Sequence, residues 1–290
     1  MSCVIRRIAA LGEPVIEPVA VTADSLREAA SVERPGGVYA AFGTWHDHRV
    51  IRLTDHFERF RDSAKRVGFE LNVDRDLVCA ELCSMLRAAG YPGARIRISV
   101  HPDDLAAGVR APLVAAIEPY AGPPPQMRKD GVSCLTAPHR ARPNPRAKQT
   151  SWLAGRASLP GDPYEWLLLD DEERILEGAS SNFYAVIDGV LATAGSDVLF
   201  GISRSIVLEV ASGLLPLRLD PPRYDDIARM SECFITSASR GIVPVVEIDE
   251  RTIGSGRPGE VTRQLISRYE NRATELEEPL CPDGDGFAGD

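Results

Sequence analysis

The sequence predicts a two-domain α+β fold, a small α/β domain followed by a larger β-rich one. Three observations carry this. A chain of 290 residues has room for two domains. Ala121-Gly122-Pro123-Pro124-Pro125 interrupts it with a stiff spacer, because consecutive prolines fix φ and donate no backbone N–H. Helix-spaced and strand-spaced apolar patterns mix before this spacer, and short apolar runs bounded by turn residues dominate after it. The expected boundaries are 1–120 for the small domain, 121–130 for the linker, 131–278 for the large domain and 279–290 for a disordered tail without apolar period.

The totals narrow the class of function. Hydrophobic content of 44% and charged content of 26% are those of a globular protein. A net charge of −9 argues against nucleic-acid binding, which needs a basic face to release counterions. No apolar run reaches membrane-spanning length, and the N-terminus meets Glu13 and Pro14 too early for a signal peptide, so a cytoplasmic location without a membrane partner is expected. The six cysteines form no CxxC pair, and Cys79 and Cys83, one helical turn apart, read as core packing rather than a metal site.

In the first domain Cys3 to Ile8 starts as a strand, and Asp24 to Ala30 reads as a helical turn. Val38 to Phe42 and Val50 to Leu53 read as strands around His46-Asp47-His48, a solvated turn. Thr54 or Asp55 caps a helix whose Phe57, Phe60, Ala64 and Val67 share one face. A second helix runs from Arg75 to Ala89, closed by Gly90. Arg95 to Val100 alternates as a half-buried strand, and Pro112 to Pro119 gives another.

In the second domain Gly131 to Ala137 reads as a strand, followed by a proline-rich basic loop that ends at Lys148. Trp166 to Leu169 and a short run ending at Glu177 are strands, then the small residues Gly178 to Ser181 make a bend. Asn182 to Ile187 and Val190 to Thr193 flank Asp188-Gly189, a strong hairpin signal because both turn residues need positive φ. Gly201-Ile202-Ser203 then opens an amphipathic helix, whose unpaired N–H groups suit an anion. Glu232 to Thr236 and Val243 to Ile248 are further strands, and Pro258 to Arg272 is a terminal helix.

Four ordered motifs, spanning roughly Gly37 to Tyr269, resemble the fold-type IV pyridoxal-phosphate enzymes: branched-chain aminotransferases, D-amino acid aminotransferases and aminodeoxychorismate lyases. They are Lys148-Gln-Thr-Ser-Trp152, Leu176-Glu-Gly-Ala-Ser-Ser-Asn-Phe183, Leu199-Phe-Gly-Ile-Ser-Arg204 and Phe234 to Val245. By composition alone Lys148 is a solvated charge. The resemblance makes it the catalytic lysine that forms a Schiff base with pyridoxal 5′-phosphate and carries protons, a task suited to an amine of lowered pKa. It further implies that the cofactor lies between the two domains. Glu177 would face the pyridine nitrogen and keep it protonated. Arg59, in the helix His56-Phe-Glu-Arg59, would pair with the phosphate, as would Ile202 and Ser203 and the turn at Ser237 and Ala238, where Ala238 stands in place of a hydroxyl residue common in relatives. Tyr39 and Arg97 stand where relatives place substrate-side residues, although Ala40, Ala41 and Gly43 replace the polar groups usual beside that aromatic in branched-chain enzymes.

The resemblance implies an aminotransferase that moves an amino group between an amino acid and a 2-oxo acid, of branched-chain or D-amino acid type, working as a homodimer. Two alternatives stay open at this point: 4-amino-4-deoxychorismate lyase on the same scaffold, and a relative that binds the cofactor without turnover.

Overall fold

In a computed structural model, which describes residues 3–157, 159, 161 and 163–281, the chain forms two compact units. Met1–Gly122, Ala147–Ala157 and Leu276–Asp290 belong to the first, Pro123–Arg146 and Ser158–Glu275 to the second. The units are thus not consecutive in sequence: the segment of Lys148 and the end of the chain both belong with the N-terminal residues.

In chain order the elements are β1 (Val4–Ile8), β2 (Ile16–Pro18), α1 (Leu26–Ala29), β3 (Val38–Gly43), β4 (Arg49–Ile51), α2 (Leu53–Arg66), α3 (Arg75–Ala89), β5 (Ala94–Val100), α4 (Pro102–Ala106) and β6 (Leu113–Pro119). Next come α5 (Pro125–Asp130), β7 (Val132–Ala137), α6 (Ser151–Ala157), β8 (Glu165–Leu169), β9 (Ile175–Gly178), β10 (Asn182–Ile187) and β11 (Val190–Ala192). The chain continues with α7 (Ile202–Ala211), β12 (Leu217–Arg218), β13 (Met230–Ser237), β14 (Gly241–Ile248), β15 (Arg251–Thr252), α8 (Glu260–Glu275) and β16 (Glu277–Pro279). Among the described residues no helix is long and apolar enough to cross a membrane.

The first unit is organised on a five-stranded antiparallel sheet in the order β2-β1-β6-β5-β3. Asp74 starts α3 by accepting from the N–H groups of Asp76 and Leu77, and Gly90 ends it in the left-handed conformation. α2 starts at Leu53, ahead of the expected cap at Thr54 or Asp55, and its cap comes from the far end of the chain. The Glu278 carboxylate accepts from Thr54 N at 3.2 Å and from Thr54 Oγ1 at 2.6 Å, where the helix dipole favours negative charge.

That contact corrects the expected tail. Residues Glu277–Pro279 pair with β4, Leu280 is buried, and Cys281 is disulfide-bonded to Cys83. Residues 282–290 lie outside the described residues. Cys83 is therefore a covalent tie and not packing alone, whereas Cys79 is a free, buried thiol. The turn at His46–His48 is likewise only half solvated. His46 is exposed beside Glu277, while His48 is buried with Nε2 at 2.7 Å from the Tyr91 carbonyl.

The linker prolines also behave differently from expectation. Pro125 is the first residue of α5, a position where a missing N–H costs nothing, and Met127 of this helix packs on the core of the second unit.

That core fills a nine-stranded sheet ordered β12-β11-β10-β13-β14-β7-β8-β9, with β15 paired to β14; β9 also pairs with β10, so the sheet closes on itself. Val132, Cys134, Leu167, Leu169, Ile175, Phe183, Ala185, Cys233, Ile235, Val243 and Val245 form its apolar interior. Asp188 (φ 51°) and Gly189 (φ 76°) make the β10–β11 turn.

Candidate active site

In the first unit, β3 and β5 pair Tyr39 with Ser99 and Ala41 with Arg97. Opposed residues share a face, so these four lie on one side of the sheet. Val38, Ala40 and Phe42 are buried on the other, Phe42 against the His56 ring of α2.

Lys148 is fastened to this unit through its backbone. Its N–H donates to Ser63 Oγ at 3.1 Å, and its carbonyl accepts from Tyr39 N at 2.9 Å. The Ser63 hydroxyl in turn donates to the Arg59 carbonyl at 2.7 Å, one turn back on α2. The Lys148 Nζ lies 4.7 Å from the centroid of the Tyr39 ring, within the range of a cation–π contact. Lysine, tyrosine and the helix of Arg59 are thus held together by hydroxyl and backbone bonds, although they come from three distant stretches of sequence.

Arg59 is half-buried, with Nη2 at 3.4 Å from His56 Nδ1. His56 is buried, and burial holds it well below its ordinary pKa, with Arg59 and Lys148 pushing the same way. A neutral imidazole can accept from the guanidinium, which fixes the arginine's direction. Arg97 is buried and ion-paired with Glu33.

In the second unit, a register shift places Glu177. Leu168 opposes Glu177 and Leu169 opposes Ile175, so the strand bulges and two residues spaced as i and i+2 fall on opposite faces. Ile175 enters the apolar interior, and Glu177 is turned to the outer face. There it is 3% exposed, with Oε2 accepting from Leu199 N at 3.0 Å and from Asn182 Nδ2 at 3.5 Å, and Oε1 at 3.4 Å from Arg142 Nη1. These donors and the guanidinium supply the partners that a carboxylate so buried needs.

Asn182 joins the pieces. It opposes Glu177 on β9 and Thr236 on β13, and its Nδ2 donates to Leu199 O at 2.8 Å. Gly201, which precedes α7, is packed so closely that a Cβ there would lie 2.3 Å from Asn182 Oδ1. As N-cap it has no side chain to occupy the first N–H groups of the helix, those of Ile202 and Ser203. The Ser203 hydroxyl accepts from Tyr269 OH at 2.9 Å, and burial pushes the Tyr269 pKa up to about 12, which keeps that donor protonated. Ser237 ends β13, its Oγ accepting from Arg240 Nε at 2.8 Å. Ala238 follows it in the turn and offers backbone only.

Several contributors escape sequence reasoning. Arg142 is one arginine among several in a basic loop, and Arg240 pairs with Glu165, 75 residues away, at 3.0 Å. Ser63 is the one with a visible signal, four residues after Arg59 on the same helix face.

Comparison with known proteins places this geometry. The model of amino-transferase class IV matches residues 39–248, from Tyr39 to the last residue of β14. The chain is 30% identical over 245 residues to a putative branched-chain-amino-acid aminotransferase of Methanocaldococcus jannaschii, covering 79% of this chain and 84% of that protein. It is 24% identical to a D-alanine aminotransferase of Staphylococcus aureus, covering 81% of this chain and 87% of the relative. Its fold is similar to that of a putative branched-chain amino acid aminotransferase from Thermotoga maritima, with a TM-score of 0.73 at 24% identity, covering 94% of this chain and 97% of that one. A further branched-chain amino acid aminotransferase, solved with pyridoxamine 5′-phosphate, gives a TM-score of 0.76 at 23% identity, with 96% of this chain and 99% of that one covered. Aminotransferases thus recur among the relatives, and neither the lyase nor the non-catalytic alternative gains support. With the family match running through Tyr39, Arg59, Lys148, Glu177 and Ser203, the chain belongs to the class IV aminotransferases.

Proposed function

We propose that this class IV aminotransferase uses pyridoxal 5′-phosphate to move an amino group between an amino acid and a 2-oxo acid, of branched-chain or D-amino acid type. The observation that carries the reading is the setting of Lys148, whose amine lies over Tyr39 while its backbone is fixed at both N–H and carbonyl. A lysine anchored in this way reaches out from a fixed backbone beside an aromatic ring, which a solvated surface lysine does not.

The residues present fit the cofactor. Gly201 leaves no room for a Cβ and no side chain to cap α7, so the N–H groups of Ile202 and Ser203 suit a phosphate. Glu177, buried and supported by Arg142, Asn182 and Leu199, is an acceptor-only group matched to a protonated ring nitrogen. Bound pyridoxal 5′-phosphate supplies an aldehyde that takes up amines and a ring that spreads the electron pair left when Cα loses a proton.

The chain's own groups do the rest. Lys148 would be the amine that holds the cofactor, and its amine would take up and return the proton at Cα. Arg59 offers its guanidinium to the phosphate, directed by the neutral His56, and Ser237 offers a hydroxyl beside the backbone of Ala238. Tyr39 forms the wall against which the amine rests. A homodimer, as the resemblance implies, completes the reading, and light scattering after gel filtration tests it.

The visible absorption of purified protein, before and after L-glutamate, D-glutamate, D-alanine or L-leucine, tests the chemistry. A yellow band that Lys148→Ala lacks, bleached by one of these amino acids, is the expected outcome. A colourless protein that takes up no added pyridoxal phosphate overturns the reading.

A further inference from the structure

We propose that Tyr269, on α8, is a positioning residue for the cofactor phosphate: by donating to the Ser203 hydroxyl it leaves that hydroxyl with its own proton to give, and Arg240 does the same for Ser237. The proposal rests on the reading that pyridoxal 5′-phosphate binds with its phosphate at the start of α7.

A serine hydroxyl carries one proton and two lone pairs. On a helix it can give that proton to a carbonyl one turn back, as Ser63 does to Arg59 O at 2.7 Å and Ser205 does to Ile202 O at 2.7 Å. Ser203 lies two residues before Ser205 on the same helix and is 3% exposed, yet it accepts instead, from Tyr269 OH at 2.9 Å. Ser237 likewise accepts, from Arg240 Nε at 2.8 Å. Among the described residues neither hydroxyl donates to a protein acceptor. A buried hydroxyl proton left without an acceptor is unfavourable, and an anion seated before α7 supplies one.

Both donors are themselves held in place. Tyr269 is 2% exposed, and its ring lies against the turn between β13 and β14: a Cβ on Gly241 would stand 3.2 Å from Tyr269 Cε1, so the glycine is what admits the ring. Gly241 opposes Ser237 across that turn, so one tyrosine links the Ser203 hydroxyl to the segment that carries Ser237. Arg240 is fixed at its far end, with Nη2 at 3.0 Å from Glu165 Oε2 and 2.9 Å from Ser180 Oγ. Glu165 answers its charge, so what Arg240 gives Ser237 is a direction rather than a net positive field.

The test titrates the full chain, stripped of cofactor, with pyridoxal 5′-phosphate and with pyridoxal, which lacks the phosphate, and follows the visible absorption. Tyr269→Phe keeps the ring and is expected to weaken pyridoxal 5′-phosphate about tenfold, the worth of one hydrogen bond to a charged group, with pyridoxal unchanged. In a Ser203→Ala background the same substitution should cost nothing more, because the hydroxyl it directs is gone. Equal losses for both ligands, or losses that add across the two substitutions, overturn the proposal. A wild type that takes up no pyridoxal 5′-phosphate overturns the cofactor reading and this proposal with it, whereas a wild type that binds it and a Tyr269→Phe variant that binds it equally well overturn the proposal alone. If Tyr269→Phe does not fold, Arg240→Lys decides, since it keeps a charge for Glu165 without the Nε donor to Ser237. A loss confined to pyridoxal 5′-phosphate, and absent when Ser237→Ala is already present, supports the proposal; any other result overturns it.

Discussion

The surroundings of Lys148 and those of Glu177 each hold a charged group in a fixed place, but by opposite means. Lys148 is fixed through its backbone and the Ser63 hydroxyl, with a half-buried amine left on an aromatic ring. Glu177 is fixed through its carboxylate itself, which is buried and answered by a guanidinium, an amide and a backbone N–H. The difference matches the roles proposed for them: an amine that is to form and break bonds would swing on its stem, while a carboxylate that is to face a ring nitrogen would stay in place.

This contrast predicts that disruption at Glu177 reaches further than disruption around the lysine. Replacing it with Leu leaves Arg142, whose side chain is 6% exposed, as a buried charge without its carboxylate, at a cost of about 3–5 kcal/mol. Urea denaturation should show that loss, and activity should fall by roughly two to four orders of magnitude, on the scale of a lost acid–base group. A Glu177→Gln variant that keeps both stability and rate would remove the distinction.

The lysine side has its own long-range support, and the next effect tests it. Cys83–Cys281 closes a loop with a sequence separation of 198 and pins the segment whose Glu278 caps α2, the helix of Arg59 and Ser63. Cys83→Ser, or reduction, should lower stability by about 2–5 kcal/mol. Equal denaturation midpoints with and without reductant would show that the strand pairing suffices. The bond is informative because disulfides rarely persist in a reducing cytoplasm, the location expected from the sequence.

Ser63 sharpens the comparison at smaller scale. Its hydroxyl bridges Lys148 N–H and the Arg59 carbonyl, so Ser63→Ala frees the lysine backbone and costs about 1–3 kcal/mol. The readout is a drop in kcat with KM held, since the amine is still present but less well placed. Equal losses in both would instead indicate a damaged binding surface.

What was legible in the sequence follows the range of the interaction. Asp188-Gly189, Gly90 and the helical apolar faces are local, and they stand where their chemistry requires. The motifs carrying Lys148 and Glu177 could be read because a family repeats them in order. The partners could not. Arg142 for Glu177, Glu33 for Arg97, Glu165 for Arg240 and Cys281 for Cys83 are each set by how distant strands register, and the bulge that turns Glu177 outward leaves no mark on apolar spacing.

His56 supplies the smallest effect and separates the two regions by pH. It is buried beside Phe42, with Arg59 Nη2 at 3.4 Å from Nδ1, and burial, then Arg59 and Lys148, hold it well below 6.5. In the unfolded chain the same ring takes a proton near its ordinary value. The unfolded state therefore binds more protons below pH 6.5, so stability is lost as the pH falls from there toward the depressed folded value, by at most about 1.4 kcal/mol per pH unit. His56→Gln should flatten this slope between pH 6.5 and about 5 while leaving stability above about pH 7 to reflect only the changed packing. If the slope survives the substitution, the proton uptake belongs to another group, and the neutral imidazole no longer explains how Arg59 is directed.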